Sequence, residues 1–328
     1  MNFIRRVHPE LRSALQHMTP FVLPGDLESA RQIPQPPRNP SDRVAIHDRT
    51  IPRADGRDML LRVYEPANRD GEAAPALLWI HGGGYVMGHP GYDDNLCMAF
   101  AEAAGCVVFS PDYRLAPEHP FPAGLEDCYA ALVWVSRSAA ALGIDPARVA
   151  IAGASAGGGL TAALALLARD RGGPAVCFQM PLYPMIDDRN ITPSSREVMH
   201  PAVWNEYNNV AAWEMYLDGN TDDVSPYAAP IRAADLSGLP PTFTCVGQLD
   251  PFRDETIEYV ARLAQAGVDV EFHLYPGGYH AFELIVPEAE VSIRVRNEYV
   301  QALARALRRR EPAAAAFRTS AQKKWYNG

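Results

Sequence analysis

The stretch Val149-Ala150-Ile151-Ala152-Gly153-Ala154-Ser155-Ala156-Gly157-Gly158-Gly159 decides the fold. Its first four residues form an unbroken apolar run, the pattern of a strand buried on both faces. A helical stretch opens near Gly158. Gly153-Ala154-Ser155-Ala156-Gly157 lies between them, the strand–tight turn–helix setting in which a G-x-S-x-G serine becomes a nucleophile. A serine hydroxyl attacks poorly until a base takes its proton, and the turn must lift it clear of the surface. Such a turn strains the backbone at the serine. It also leaves no room for side chains two residues either side, which accounts for Gly153 and Gly157. The helix that follows brings free N–H groups and the positive end of its dipole under the reacting centre. Five residues alone can also be a glycine-rich turn with no chemistry, so the rest of the chain must decide.

Upstream, Pro75-Ala76-Leu77-Leu78-Trp79-Ile80 reads as a buried strand and runs into His81-Gly82-Gly83-Gly84-Tyr85. Three consecutive glycines leave backbone N–H groups open to a substrate oxygen. Gly83, Gly84 and Ala156 are the expected donors of an oxyanion hole, each typically worth about 3 kcal/mol in the transition state. A phosphate-binding loop is the weaker reading, because neither G-x-G-x-x-G nor a Walker lysine accompanies the glycines. His81 is expected to orient the loop, with Gly82 as part of the same support.

Downstream, Thr242-Phe243-Thr244-Cys245-Val246 reads as a strand ending in Gly247-Gln248-Leu249-Asp250-Pro251. Pro251 is expected at the first position of a helix running to about Ala266. Asp250 thus stands at the carboxyl end of a strand, where open α/β sheets gather functional groups. Val268, Val270, Phe272 and Leu274 alternate with polar residues as a half-buried strand, and a loop with Gly277-Gly278-Tyr279-His280 follows. One βαβ unit separates Asp250 from His280, which brings the two loops together. The order Ser155, Asp250, His280 is that of α/β-hydrolases and differs from both chymotrypsin-like and subtilisin-like proteases. Of nine histidines, only His280 follows a strand in the last third with an acid one unit before it. Asp187 and Asp188 also follow a strand and are the rivals to Asp250, but they lie in a polar, Pro-containing run and are expected to be solvated loop acids.

Strands are predicted at about 44–51, 58–65, 76–81, 106–110, 149–153, 176–182, 242–246 and 269–275. Helices are predicted near 92–104, 121–142, 157–170, 251–266 and 287–309. The alternation predicts an α/β fold whose eight-stranded, mostly parallel sheet is flanked by helices. The first two strands, joined across Asp55-Gly56, should pair antiparallel. Residues 185–225 break the alternation with Trp204, Tyr207, Trp213, Met215 and Tyr216 at near-helical spacing. They are expected to form a helical cap whose apolar face lines the pocket, rather than a helix merely packed on the core.

The formal charge of −9 over 328 residues, with no basic stripe, argues against nucleic acid as a partner. No apolar run approaches the length of a membrane span, and the opening eight residues lack the apolar region of a signal peptide. Cys97, Cys106, Cys128, Cys177 and Cys245 show no metal-like spacing; three fall in predicted strands, and all read as reduced thiols. A cytoplasmic location is the expectation, with no metal and no cofactor.

The motifs together resemble those of the bacterial hormone-sensitive-lipase-like esterases of the α/β-hydrolase superfamily. The matching stretches are His81 to Gly84, Asp112-Tyr113-Arg114-Leu115-Ala116-Pro117-Glu118 with the following His119 to Ala123, Gly153 to Gly158, Asp250 to Glu255, and Tyr275 to His280. They spread from about residue 50 to 310, and the Asp112–Glu118 stretch is specific to this group. The resemblance implies Ser155 as nucleophile, Asp250 and His280 as its partners, the glycine loop as oxyanion hole, and a short- to medium-chain carboxylic ester as substrate. It also implies a division into an N-terminal cap segment (1–40), a catalytic domain (41–184 and 226–310), a cap insertion (185–225) and a loose C-terminal tail (311–328). The chain departs from the family pattern at Ala154, where Asp or Thr is common, and at Gly159, where Asn is common. Amides, formamides and lactones could be cleaved by the same triad. A non-catalytic receptor is the reading from another class, but the plant gibberellin receptors that resemble this family lack the histidine present here. Self-association into a homodimer is left open.

Overall fold

The computed structural model describes residues 3–69 and 71–308. Its strands are β1 (Val44–Pro52), β2 (Asp58–Pro66), β3 (Ala74–Ile80), β4 (Val107–Pro111), β5 (Ile144–Ala154), β6 (Phe178–Leu182), β7 (Thr242–Leu249) and β8 (Val270–Tyr279). They form one sheet in the order β1-β2-β4-β3-β5-β6-β7-β8. β2 pairs antiparallel with both β1 and β4, and every other pairing is parallel. The predicted eight-stranded, mostly parallel sheet is therefore present.

Six longer helices cover the sheet: α1 (Asp94–Ala104), α2 (Ala123–Arg137), α3 (Ala156–Asp170), α4 (Glu206–Tyr216), α5 (Arg253–Gln265) and α6 (Glu290–Leu307). The central strands are buried on both faces, and alternate residues feed two cores. Leu78, Ile80 and Ile151 pack with α2, α3 and α5 on one face. Leu77, Trp79 and Ala150 pack with α1 and α6 on the other. α3 is buried on all sides from Ala156 to Ala168, which explains its uniformly small and apolar composition.

Boundaries shift where tertiary context overrides local pattern. The stretch expected as one helix over 121–142 breaks at Ser138, and Ala139–Leu142 forms a separate turn. α5 begins at Arg253, so Pro251 lies in the turn before it and not at its first position. β8 runs on through Gly277-Gly278 to Tyr279, where a loop was expected, because it keeps pairing with β7 across an irregularity in register. Of the cysteines placed in strands, only Cys245 is inside one; Cys106 and Cys177 each precede a strand by one residue. All five are free, and Cys177 is half-buried while the others are buried. The tail expected at 311–328 lies outside the described residues. No helix among the described residues is long and apolar enough to cross a membrane.

Two polar anchors hold the segments that frame the sheet's carboxyl edge. Asp127 of α2 is fully buried and accepts from Arg114 Nε and Nη2 at 2.9 and 2.8 Å, from Arg114 N at 3.0 Å and from Arg53 Nε at 3.2 Å. This pins the turn after β4, whose Tyr113 stacks on His81 and donates to its carbonyl oxygen. Arg31 ties the N-terminal segment down by donating to Val86 O, Ala116 O and both carboxylate oxygens of Glu118.

Removing a buried ion-pair partner strands the other charge, at a cost of about 3–5 kcal/mol. Asp127→Ala should lower stability by that amount in urea titration; an unchanged midpoint would show that the Arg53–Arg114 anchor is dispensable. The Arg31 guanidinium holds Glu118 down at about 2. Because the folded value lies below the ordinary carboxylate range, the pairing stabilises at neutral pH and is lost as pH falls from about 4 toward 2. Amide protection factors in residues 20–36, taken against the intrinsic exchange rate at each pH, should therefore fall on acidification in the parent and be already low at neutral pH in Arg31→Ala.

Candidate active site

Strand register assembles the site. Ile80 pairs with Gly153 and Ala154 with Leu182, so His81, Ser155 and Tyr183 follow together at the carboxyl edge. Leu249 pairs with Tyr279, so Asp250 and His280 emerge side by side. Ser155 has φ 59° and ψ −120°, a conformation costly for a residue with a side chain. It is held by its N–H donating to Leu182 O and its carbonyl accepting from Gly159 and Met185 N–H. A Cβ at Gly157 would overlap Ile80 O and His81 O, and one at Gly153 would overlap Gly157 O. The turn can close only because both positions are glycine.

Ser155 Oγ lies 2.9 Å from His280 Nε2, and His280 Nδ1 lies 2.8 Å from Asp250 Oδ2. Asp250 is fully buried, and its Oδ1 accepts from Phe252 N–H at 2.9 Å. The edge-on rings of Tyr183 and Phe252, 5.2 and 5.0 Å away, fix the imidazole plane. The rivals to Asp250 are engaged elsewhere: Asp187 pairs with Arg189 and Asp188 with Arg232. The arrangement can pass a proton from the serine hydroxyl to a neutral imidazole whose other nitrogen faces a carboxylate.

The glycine loop passes over the same point. Gly83 and Gly84 have φ of 122° and 60°, in the left-handed half of backbone space, and a Cβ on Gly84 would strike the Trp204 indole. Among the described residues neither N–H has an acceptor, and Ala156, as first residue of α3, has none within the helix. Burial pushes His81 down to about 4, so it is neutral at physiological pH. Its Nδ1 meets Gly82 O at 2.8 Å, and it makes no hydrogen bond to Ser155 or His280.

A cavity of about 470 Å³ opens over Ser155 and His280, with Gly82, Gly83 and Gly84 in its wall. Residues 185–225 supply less of that wall than their aromatic spacing implied. α4 starts only at Glu206, capped by Asn205, so Trp204 precedes the helix and turns into the cavity. Trp213 and Tyr216 pack instead on Tyr85, while Tyr207 faces solvent. The N-terminal segment contributes Met18, Phe21, Ile33 and Pro34. Their identity as pocket residues was not legible beforehand, because no periodicity marks them. Asp93 and Tyr183 also reach the cavity unannounced by any motif. Gly159, where the family often has Asn, leaves space for the Tyr85 hydroxyl, which donates to Met185 O at 2.6 Å.

A model of the α/β-hydrolase-fold family matches residues 77–284. Carboxylesterase NlhH of Mycobacterium tuberculosis is 40% identical over 266 residues, covering 79% of this chain and 82% of that protein. Ethyl acetate hydrolase of Pseudomonas putida is 34% identical over 261 residues, covering 78% of this chain and 82% of that protein. The solved structure of a bacterial heroin esterase is 40% identical and superposes with a TM-score of 0.88, covering 94% of this chain and all of that one. The chain belongs to the α/β-hydrolase-fold family, within its hormone-sensitive-lipase-like group.

Proposed function

We propose that this chain is a serine carboxylesterase that cleaves short- to medium-chain esters through an acyl-enzyme. The observation that carries the reading is the Ser155–His280–Asp250 chain of contacts, 2.9 and 2.8 Å, at the floor of a cavity with free backbone donors. His280 Nε2 takes the proton as Ser155 Oγ attacks the ester carbonyl. Asp250 holds the proton of the imidazole on Nδ1 and stabilises the imidazolium that forms. The oxyanion rests on the N–H groups of Gly83, Gly84 and Ala156. His280 then gives its proton to the departing alcohol. Water, deprotonated by His280, attacks the acyl-enzyme, and collapse of that adduct returns the proton to Ser155.

The size and lining of the cavity support a modest substrate. At about 470 Å³ it falls within the usual range for small-molecule sites, and Met18, Phe21, Ile33 and Trp204 make much of it apolar. Residues 1–40 and the insertion 185–225 act as the cap in this reading, since Phe21 and Trp204 meet across it at 6.2 Å. The names of the relatives favour esters over amides or lactones.

Ser155→Ala should lower kcat on p-nitrophenyl butyrate by about 10⁴-fold or more. A serine-directed phosphonate should add one covalent mass to the parent, on Ser155; labelling at another residue would refute the scheme. Across p-nitrophenyl esters, kcat/KM should peak at acyl chains of about four to eight carbons and fall for longer ones, as the cavity volume is exceeded. A rate still rising at sixteen carbons would remove the chain-length assignment.

A further inference from the structure

Asp93 stands out within the cavity. It ends the short turn Pro90–Asp93 that leads from the glycine loop into α1. Its Oδ2 accepts from Trp79 Nε1 at 2.7 Å. Its other carboxylate oxygen has no hydrogen-bond partner among the described residues, and the side chain contributes to the cavity wall. No Arg, Lys or His among the described residues comes within ion-pair distance of it. The nearest basic groups are committed to its neighbour: Arg62 forms a two-pronged pair with Asp94, and Arg38 also approaches Asp94.

An uncompensated carboxylate beside apolar walls is costly, because desolvation penalises its charge. That burial, the largest influence here, pushes the Asp93 carboxyl up to about 6. It is still ionised at neutral pH and above, and no basic side chain among the described residues pairs with it. A pocket built only for aliphatic esters gains nothing from this group. Asp93 is also the only carboxylate that lines the cavity among the described residues.

We infer that Asp93 is a specificity-determining residue that selects esters bearing a cationic ammonium group a few atoms from the scissile carbonyl. The ammonium meets the free carboxylate oxygen, while Ser155 faces the carbonyl. Tyr92 and Trp204 also line the cavity, and aromatic rings attract such a charge. This inference rests on the esterase reading above and adds a substrate class to it.

Two matched ester pairs test it, each differing only in charge. One pair is 2-(trimethylammonio)ethyl acetate and 3,3-dimethylbutyl acetate, with the charge on the alcohol side. The other is methyl 4-(trimethylammonio)butanoate and methyl 5,5-dimethylhexanoate, with the charge on the acyl side. At pH 8, kcat/KM for the cationic member of at least one pair should exceed that of its neutral partner by about tenfold. In Asp93→Asn, which keeps an acceptor for Trp79 but not the charge, the ratio should fall toward 1. A ratio near 1 for both pairs in the parent overturns the inference and leaves the esterase reading standing. A preference that persists in Asp93→Asn also overturns it, since the charge would then act from elsewhere. If the parent cleaves p-nitrophenyl butyrate but none of the four esters, the inference falls and the esterase reading stands; if it cleaves no ester at all, both fall.

Discussion

The backbone at Ser155 is the constraint on which the rest of the site depends. A side-chain-bearing residue at φ 59° is held there only by what surrounds it. The restraint comes from three neighbouring strands ending level with one another. Leu182 O accepts the Ser155 N–H, Met185 and Gly159 N–H groups hold its carbonyl, and Ile80 O and His81 O fill the space a side chain at Gly157 would need. The Ser155 hydroxyl is therefore positioned by the sheet itself. Its rigidity reaches outward to the glycine loop, which is the continuation of β3, and to Tyr183, the continuation of β6.

The electrostatics follow the same edge. Asp250 is fully buried yet has its charge met by His280 and by a backbone N–H, so its desolvation is compensated. Glu255 and Glu283 are buried carboxyls with raised pKa, chiefly through burial. Each still has a structural partner: Glu255 accepts from Ile186 N–H and Glu283 from the Tyr183 hydroxyl. Both clamp segments that follow β6, on the two sides of the serine turn. Asp93 differs because its open side faces the cavity. The contrast separates acids that hold the scaffold from one positioned to meet a ligand.

The fold and the candidate triad stood out in the sequence for reasons that can be named. Buried parallel strands are short apolar runs, and groups at their carboxyl ends fall together once the order of strands follows the βαβ rule. Ser155, Asp250 and His280 each lie in the turn or loop after a predicted strand. Asp250 stood ahead of Asp187 and Asp188 in the sequence because those two lie in a polar, Pro-containing run; the structure buries both side chains and pairs them with Arg189 and Arg232, so they are not the solvated loop acids expected. The end of β8 was misplaced because Gly277-Gly278 reads locally as a loop, while pairing with β7 extends the strand past it. The start of α5 slipped because Asp250 and Phe252 share a turn that Pro251 alone does not reveal.

The sequence by itself determined the layered α/β architecture and the chemical types at its edge, since periodicity and turn geometry are local properties of a chain. Only the tertiary structure decided the pocket. Met18, Phe21, Ile33 and Asp93 come from segments far apart in the chain, and none lies in a regular pattern that points inward. Trp204 lines the cavity while Trp213, nine positions later, is buried against Tyr85. Which aromatic meets the substrate is set by where the chain turns before α4, and that turn depends on packing against the glycine loop and the N-terminal segment. Long-range contacts of this kind leave no local signature, which is why the reaction could be read from the residues and the shape of the substrate could not.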